Sequence, residues 1–104
     1  MPRKYFLLTY SVSPVSDKSK DLADKVRRKI SEIDEWTKLS DVETAFAGSL
    51  YLISDTEEKR RTEAKKDVTT VFRSVLDELN AYSSVLIYVA LLVDGHSPSI
   101  EFSI

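Results

Sequence analysis

The chain has 104 residues, a formal net charge of −2, 42% hydrophobic residues and 31% charged ones. That is room for one domain with a single core and argues against wholesale disorder; the slightly acidic balance confines any nucleic-acid site to a local patch. Cysteine is absent, which removes disulfides, thiolate zinc sites and thiol nucleophiles.

Tyr5–Tyr10 is too short for a signal-peptide core and has no small-residue cleavage site behind it. The longest apolar stretch, Val85–Val93, has nine residues, against about 20 for a membrane helix. No membrane partner is expected, and the expected location is cytoplasmic.

Tyr5–Val12 is rich in aromatic and branched residues and reads as a first strand. Pro14 lacks a donor for the ladder and starts a loop. Leu22, Val26, Ile30 and Ile33 recur at helical spacing among charged residues, which predicts one amphipathic helix with Ser16 or Asp17 at its start. Val42, Thr44 and Phe46 then alternate, Gly48-Ser49 offers a two-residue turn, and Leu50–Ile53 follows. Glycine supplies the positive φ a tight turn needs, so a hairpin is predicted at Gly48-Ser49.

Ser54-Asp55-Thr56-Glu57 has the form of a capping box opening a second helix. Val68, Val71, Phe72, Val75, Leu76 and Leu79 give its C-terminal half a core-facing stripe. Its first half, Glu57–Asp67, has only Ala64 as an apolar residue and is expected in water or beyond the sheet. Val85–Val93 reads as a fourth strand and Asp94–Pro98 as a turn. Ile100–Ile104 alternates, which allows a short fifth strand. The fold class is therefore α+β, a single ferredoxin-like βαββαβ domain over residues 1–104.

Both helices of such a fold cover one sheet face, and the other face should be polar. The fourth strand is apolar on both sides: Leu86, Tyr88, Ala90 and Leu92 on one, Ile87, Val89, Leu91 and Val93 on the other. Tyr5 and Leu7 likewise oppose Phe6 and Leu8. A second copy is the simplest cover for that face, so a homodimer is expected.

His96 is the single histidine; in its Asp-Gly-His-Ser-Pro context it is read as a turn residue in water. No nucleophile elbow and no glycine-rich phosphate loop occurs, and no cofactor or metal is expected. The candidate nucleic-acid-binding residues are Arg27 and Arg28 on the first helix, with Lys59, Arg60, Arg61, Lys65 and Lys66 on the second. The opposing reading is a solvated face, because Glu57–Arg61 and Lys59–Glu63 are spaced for pairs of opposite sign. Trp36, Tyr10, Tyr51 and Tyr88 are read as core or dimer residues in preference to base-stacking ones.

The opening strand, Tyr5–Tyr10, the segment Val42–Leu50 and the apolar fourth strand with its trailing strand resemble the small CRISPR-associated adaptation family of endoribonuclease-like proteins, and related antitoxin RNases. The resemblance implies a ferredoxin-like homodimer joined through the open sheet. In the nuclease members an aspartate follows the first-strand tyrosine, and one from each subunit binds Mg²⁺. Here that position is Ser11, which lacks the charge. The leading expectation is a non-catalytic homodimer that binds a macromolecule, RNA or DNA included, in a mobile-element, defence or toxin–antitoxin setting. One rival is a metal-dependent nuclease using Asp41, Glu43 or Asp94. Another is a protein-interaction module, an antitoxin or inhibitor, that binds a protein partner.

Overall fold

Alternation of buried and exposed side chains sets the plan of the molecule from its first strand. In the computed structural model, which describes residues 3–104, β1 runs Arg3–Pro14. Phe6, Leu8, Tyr10 and Val12 are buried, while Tyr5, Leu7, Thr9 and Ser11 are exposed. Pro14 ends the strand, still in register opposite Val85. A short 3₁₀ turn, Asp17–Ser19, leads into α1, Lys20–Ile30. Neither Ser16 nor Asp17 caps α1, because the 3₁₀ turn intervenes; the position before the helix is Ser19, whose side chain makes no capping bond.

β2 is only Thr37–Lys38, and β3 is Ala45–Tyr51. The predicted hairpin at Gly48-Ser49 is not present: Gly48 lies within β3, opposite Phe6, and the reversal is the loop between Lys38 and Ala45. Gly48 is needed for close approach. A Cβ there would lie 2.8 Å from the Phe6 ring and 3.2 Å from Trp36. α2 is Glu57–Leu79. Its cap is Thr56, whose hydroxyl accepts from the Lys59 amide at 3.2 Å. The predicted capping box does not form: the cap lies two residues later and is one-sided, since Lys59 stands where the box needs a glutamate, and the Ser54 amide and hydroxyl both donate to Glu63 Oε1 instead.

α2 ends at Asn80, which takes a left-handed conformation (φ 51°, ψ 48°). The Ala81 amide returns to Leu76 O at 2.9 Å and the Asn80 amide to Asp77 O at 3.2 Å. This is a Schellman ending, with Asn supplying the left-handed residue. β4 (Val85–Val93) and β5 (His96–Ser103) complete the chain.

The fold is α+β: a five-stranded antiparallel sheet of order β2-β3-β1-β4-β5 with two helices on one face. Leu8 at its centre stands opposite Phe46 on one side and Leu91 on the other. Val26, Ile30, Val68, Phe72 and Leu76 from the helices are fully buried with Leu8, Phe46, Ile87 and Leu91 from the sheet. Trp36 contacts Phe6, Phe46 and Phe72 with ring centroids 5.5–5.6 Å apart, and Tyr10 joins the same cluster. Trp36 and Tyr10 are therefore core residues; Tyr51 and Tyr88 lie on the exposed side.

Among the described residues, no helix is long and apolar enough to cross a membrane.

Candidate functional surfaces: the uncovered sheet face and the cationic helices

The sheet face opposite the helices is built by the other half of each strand's alternation. Register places Tyr5 and Leu7 of β1 beside Ser49 and Ala47 of β3, and Leu7 beside Leu92 of β4. Ser11 faces Tyr88, Ser13 faces Leu86, and Glu101 of β5 faces Ala90. Tyr5 is 64% exposed, Tyr51 61%, and Leu7, Tyr88 and Leu92 45–47%. A water-facing sheet normally carries polar residues at such positions.

Near one end of this face the small residues Thr9, Ser11, Ala90 and Ser103 leave a shallow hollow of about 520 Å³, edged by Tyr88 and Glu101. Ser11 lies in this hollow. Of the acids weighed for metal chemistry, Asp41 and Glu43 lie in the β2–β3 loop. Asp94 lies at the other end of the sheet, where its amide donates to Tyr5 O at 2.9 Å. Among the described residues, no three His, Asp or Glu side chains come together as a metal site.

Most of the cations predicted to meet phosphate already have protein partners. Arg27 pairs with Asp24 and donates through Nη2 to Val12 O at 2.7 Å. Lys59 pairs with Asp55 at 3.6 Å, in place of the expected Glu63. Arg60 donates through Nε to His96 Nε2 at 3.0 Å and through Nη1 to Ser54 O at 3.1 Å. Arg61 donates to His96 O at 3.0 Å and to Pro98 O, in place of the expected Glu57. Lys65 lies over the Phe102 ring, 5.6 Å from its centroid. Arg28 and Lys66 form no ion pair among the described residues.

The two groups of cations are also far apart. Lys29 bonds Glu78 at 3.0 Å, which sets the end of α1 beside the end of α2. Lys66 and Lys59 precede Glu78 by 12 and 19 residues, or about 18 and 28 Å along a helix rising about 1.5 Å per residue.

His96 is not a solvated turn residue. It is 4% exposed at the start of β5. Since Arg60 Nε–H donates to its Nε2, the ring's Nδ1–H donates to Asp94 O, 2.9 Å away, and both nitrogens are satisfied in the neutral tautomer. The first half of α2 lies largely in water, as expected, and Arg60 and Arg61 in addition tie it to β5, with Ala64 buried beneath.

A cleft of about 470 Å³ opens where the end of α1 meets β1 and the β2–β3 loop. Tyr10, Arg27, Arg28, Ser31, Lys38 and Glu43 line it. The Tyr10 hydroxyl pKa is raised, first by burial; Arg27 opposes the rise and Glu43 adds to it, which places all three within electrostatic reach. Sequence reasoning selected Arg27 and Arg28, weighed Tyr10 only as a core, dimer or base-stacking residue, and missed Lys38. Lys38 is brought to the cleft by the Lys38–Phe46 register, which points it toward the helix side.

No family model matches the chain, and no curated protein and no solved structure matches it significantly.

Proposed function

We propose that the protein is a non-catalytic homodimer of ferredoxin-like topology that binds nucleic acid, with the uncovered sheet face as the dimer interface. The topology is supported by the order β2-β3-β1-β4, with α1 and α2 as the crossings and β5 as an added edge. The observation that carries the dimer is the belt of Tyr5, Leu7, Tyr88 and Leu92 on a face without helices. Four long strands of about nine residues, spaced about 4.8 Å, make a face of roughly 600 Å² before side-chain relief. A standard interface buries about 800 Å² per partner, so this face is of the right order.

Nucleic acid is favoured by Arg28, Lys38 and Lys66, which hold no carboxylate among the described residues. The defence or mobile-element setting rests on sequence resemblance alone. A second reading, a module that captures a protein strand, is favoured by β5, which among the described residues pairs with no strand but β4.

The test is a solution mass. The expected value is twice the 11.8 kDa chain mass, falling to a monomer in Leu92→Lys, which sets a charge in the centre of the belt. A wild-type monomer, or a Leu92→Lys dimer, sinks the interface. Binding to RNA and DNA, measured with and without Mg²⁺, tests the remainder: cleavage would restore the nuclease rival, and salt-insensitive binding to a protein alone would favour the strand-capture reading.

A further inference from the structure

We infer that the cleft at the end of α1 is a binding site for a nucleotide phosphate. This rests on the nucleic-acid part of the proposed function and does not depend on the dimer. The cleft, at about 470 Å³, is within the roughly 300–1,000 Å³ typical of small-ligand sites.

Its walls hold complementary chemistry. Arg27 is fixed at the wall by Val12 O and Asp24 and keeps further N–H donors free. Arg28 and Lys38 are exposed on opposite sides, one from α1 and one from β2. Ser31 sits at the helix end, its hydroxyl donating to Arg28 O at 2.6 Å. Tyr10 contributes a hydroxyl above an aromatic ring that is itself anchored on Phe46 and Phe72.

Three features oppose an anion: the Glu43 carboxylate, the Asp24 carboxylate already paired with Arg27, and the carbonyl end of α1. Three cations against the Glu43 and Asp24 carboxylates still leave the site a net charge of one positive, carried by Arg28 and Lys38, which form no ion pair among the described residues. A phosphate carries one or two negative charges and accepts from a guanidinium fork in a geometry that Lys or Tyr can complete. Tyr10 and Val12 are buried in the core, so the cleft offers the phosphate's remainder only their edges, and the phosphate itself is the group recognised.

The phosphate can come from a free mononucleotide or from a strand, and the experiment separates them. Isotope-labelled full-length protein is titrated, at low and moderate salt, with inorganic phosphate, adenosine monophosphate, and an eight-nucleotide oligouridylate with and without a 5′-phosphate. Expected are saturable shifts at the Tyr10, Arg28, Ser31 and Lys38 amides, weakened about tenfold by Arg28→Glu or Lys38→Glu. Both substitutions are on exposed side chains, so the amide spectrum should otherwise hold.

A preference for the 5′-phosphorylated strand assigns the site to a strand end, and equal binding of both strands to the internal backbone. Response to adenosine monophosphate alone keeps the cleft as a nucleotide site and overturns the nucleic-acid reading. Strand binding that maps to Lys59–Lys66 and ignores Arg28→Glu overturns the cleft and keeps the nucleic-acid reading. No response to any probe overturns both.

Discussion

The two faces of the sheet are built from the same strands, residue by residue in alternation, yet they obey different rules. On the helix side, Leu8 is 1% exposed and sits among Phe46, Leu91 and the helices. One residue earlier, Leu7 is 45% exposed on the other side. The covered face is uniformly apolar and filled by rings and branched chains. The open face mixes Tyr and Leu with Thr, Ser, Ala and Glu. That mixture is too apolar for a face that only meets water and too polar for a permanent core. The dimer proposed above would cover that mixture with a second copy of it.

This contrast can be broken most directly with neighbouring leucines. Leu8→Ala should cost about 2–5 kcal/mol of stability, the usual range for a buried leucine. Leu7→Ala should cost under about 1 kcal/mol in the dilute monomer, since much of its surface is never withdrawn from water. Chemical denaturation of both variants at low protein concentration checks this, and equal losses would show that the open face is covered within one chain.

Gly48→Ala should cost about 1–3 kcal/mol by overfilling, because its added methyl meets the Phe6 ring on the covered face. A thermal melt of that variant unchanged from wild type would show that the ring has room to move.

The smallest effect is at the outer side of the helix layer. The Asp67 carboxyl pKa is raised, first by desolvation, then by Glu63, with Lys66 opposing. A carboxyl raised in the folded state is destabilising once ionised, so Asp67→Asn should give a small gain at neutral pH. That gain should fade below about pH 4, where Asp is protonated in both states. A gain that grows as pH falls would reverse the sign.

The parts of this architecture set by local periodicity were legible in the sequence: β1, α1, the second half of α2, and the two-sided apolar character of β4. The parts set by distant partners were not. Gly48 looked like a turn because glycine often makes one; its reason lies in Phe6 and Trp36, far along the chain. β2 is two residues long and has no pattern to read. Ser54 seemed a cap until its hydroxyl found Glu63, nine residues away. His96 seemed solvated because Arg60, 36 residues earlier, is not visible as its partner in any local window. The cleft shows the same limit: Arg27 and Arg28 stood out as a cluster, whereas Lys38 and Tyr10 join them only through sheet register.

The arginines at the start of α2 have one more consequence, for solubility. Arg60 and Arg61 bind His96 and Pro98, and Lys65 covers Phe102, so three cations fasten β5 to the helix layer. Were β5 to peel away, the new border of the sheet would be β4, a run of nine apolar residues still paired to β1 but with its outward-facing backbone donors and acceptors unpaired. Such a border is a template for end-on growth into aggregates. Charge reversal at Arg60 or Arg61 should therefore first appear as faster amide exchange in β5 and as precipitation on storage. Any loss of ligand binding in those variants would be secondary to an unlatched edge.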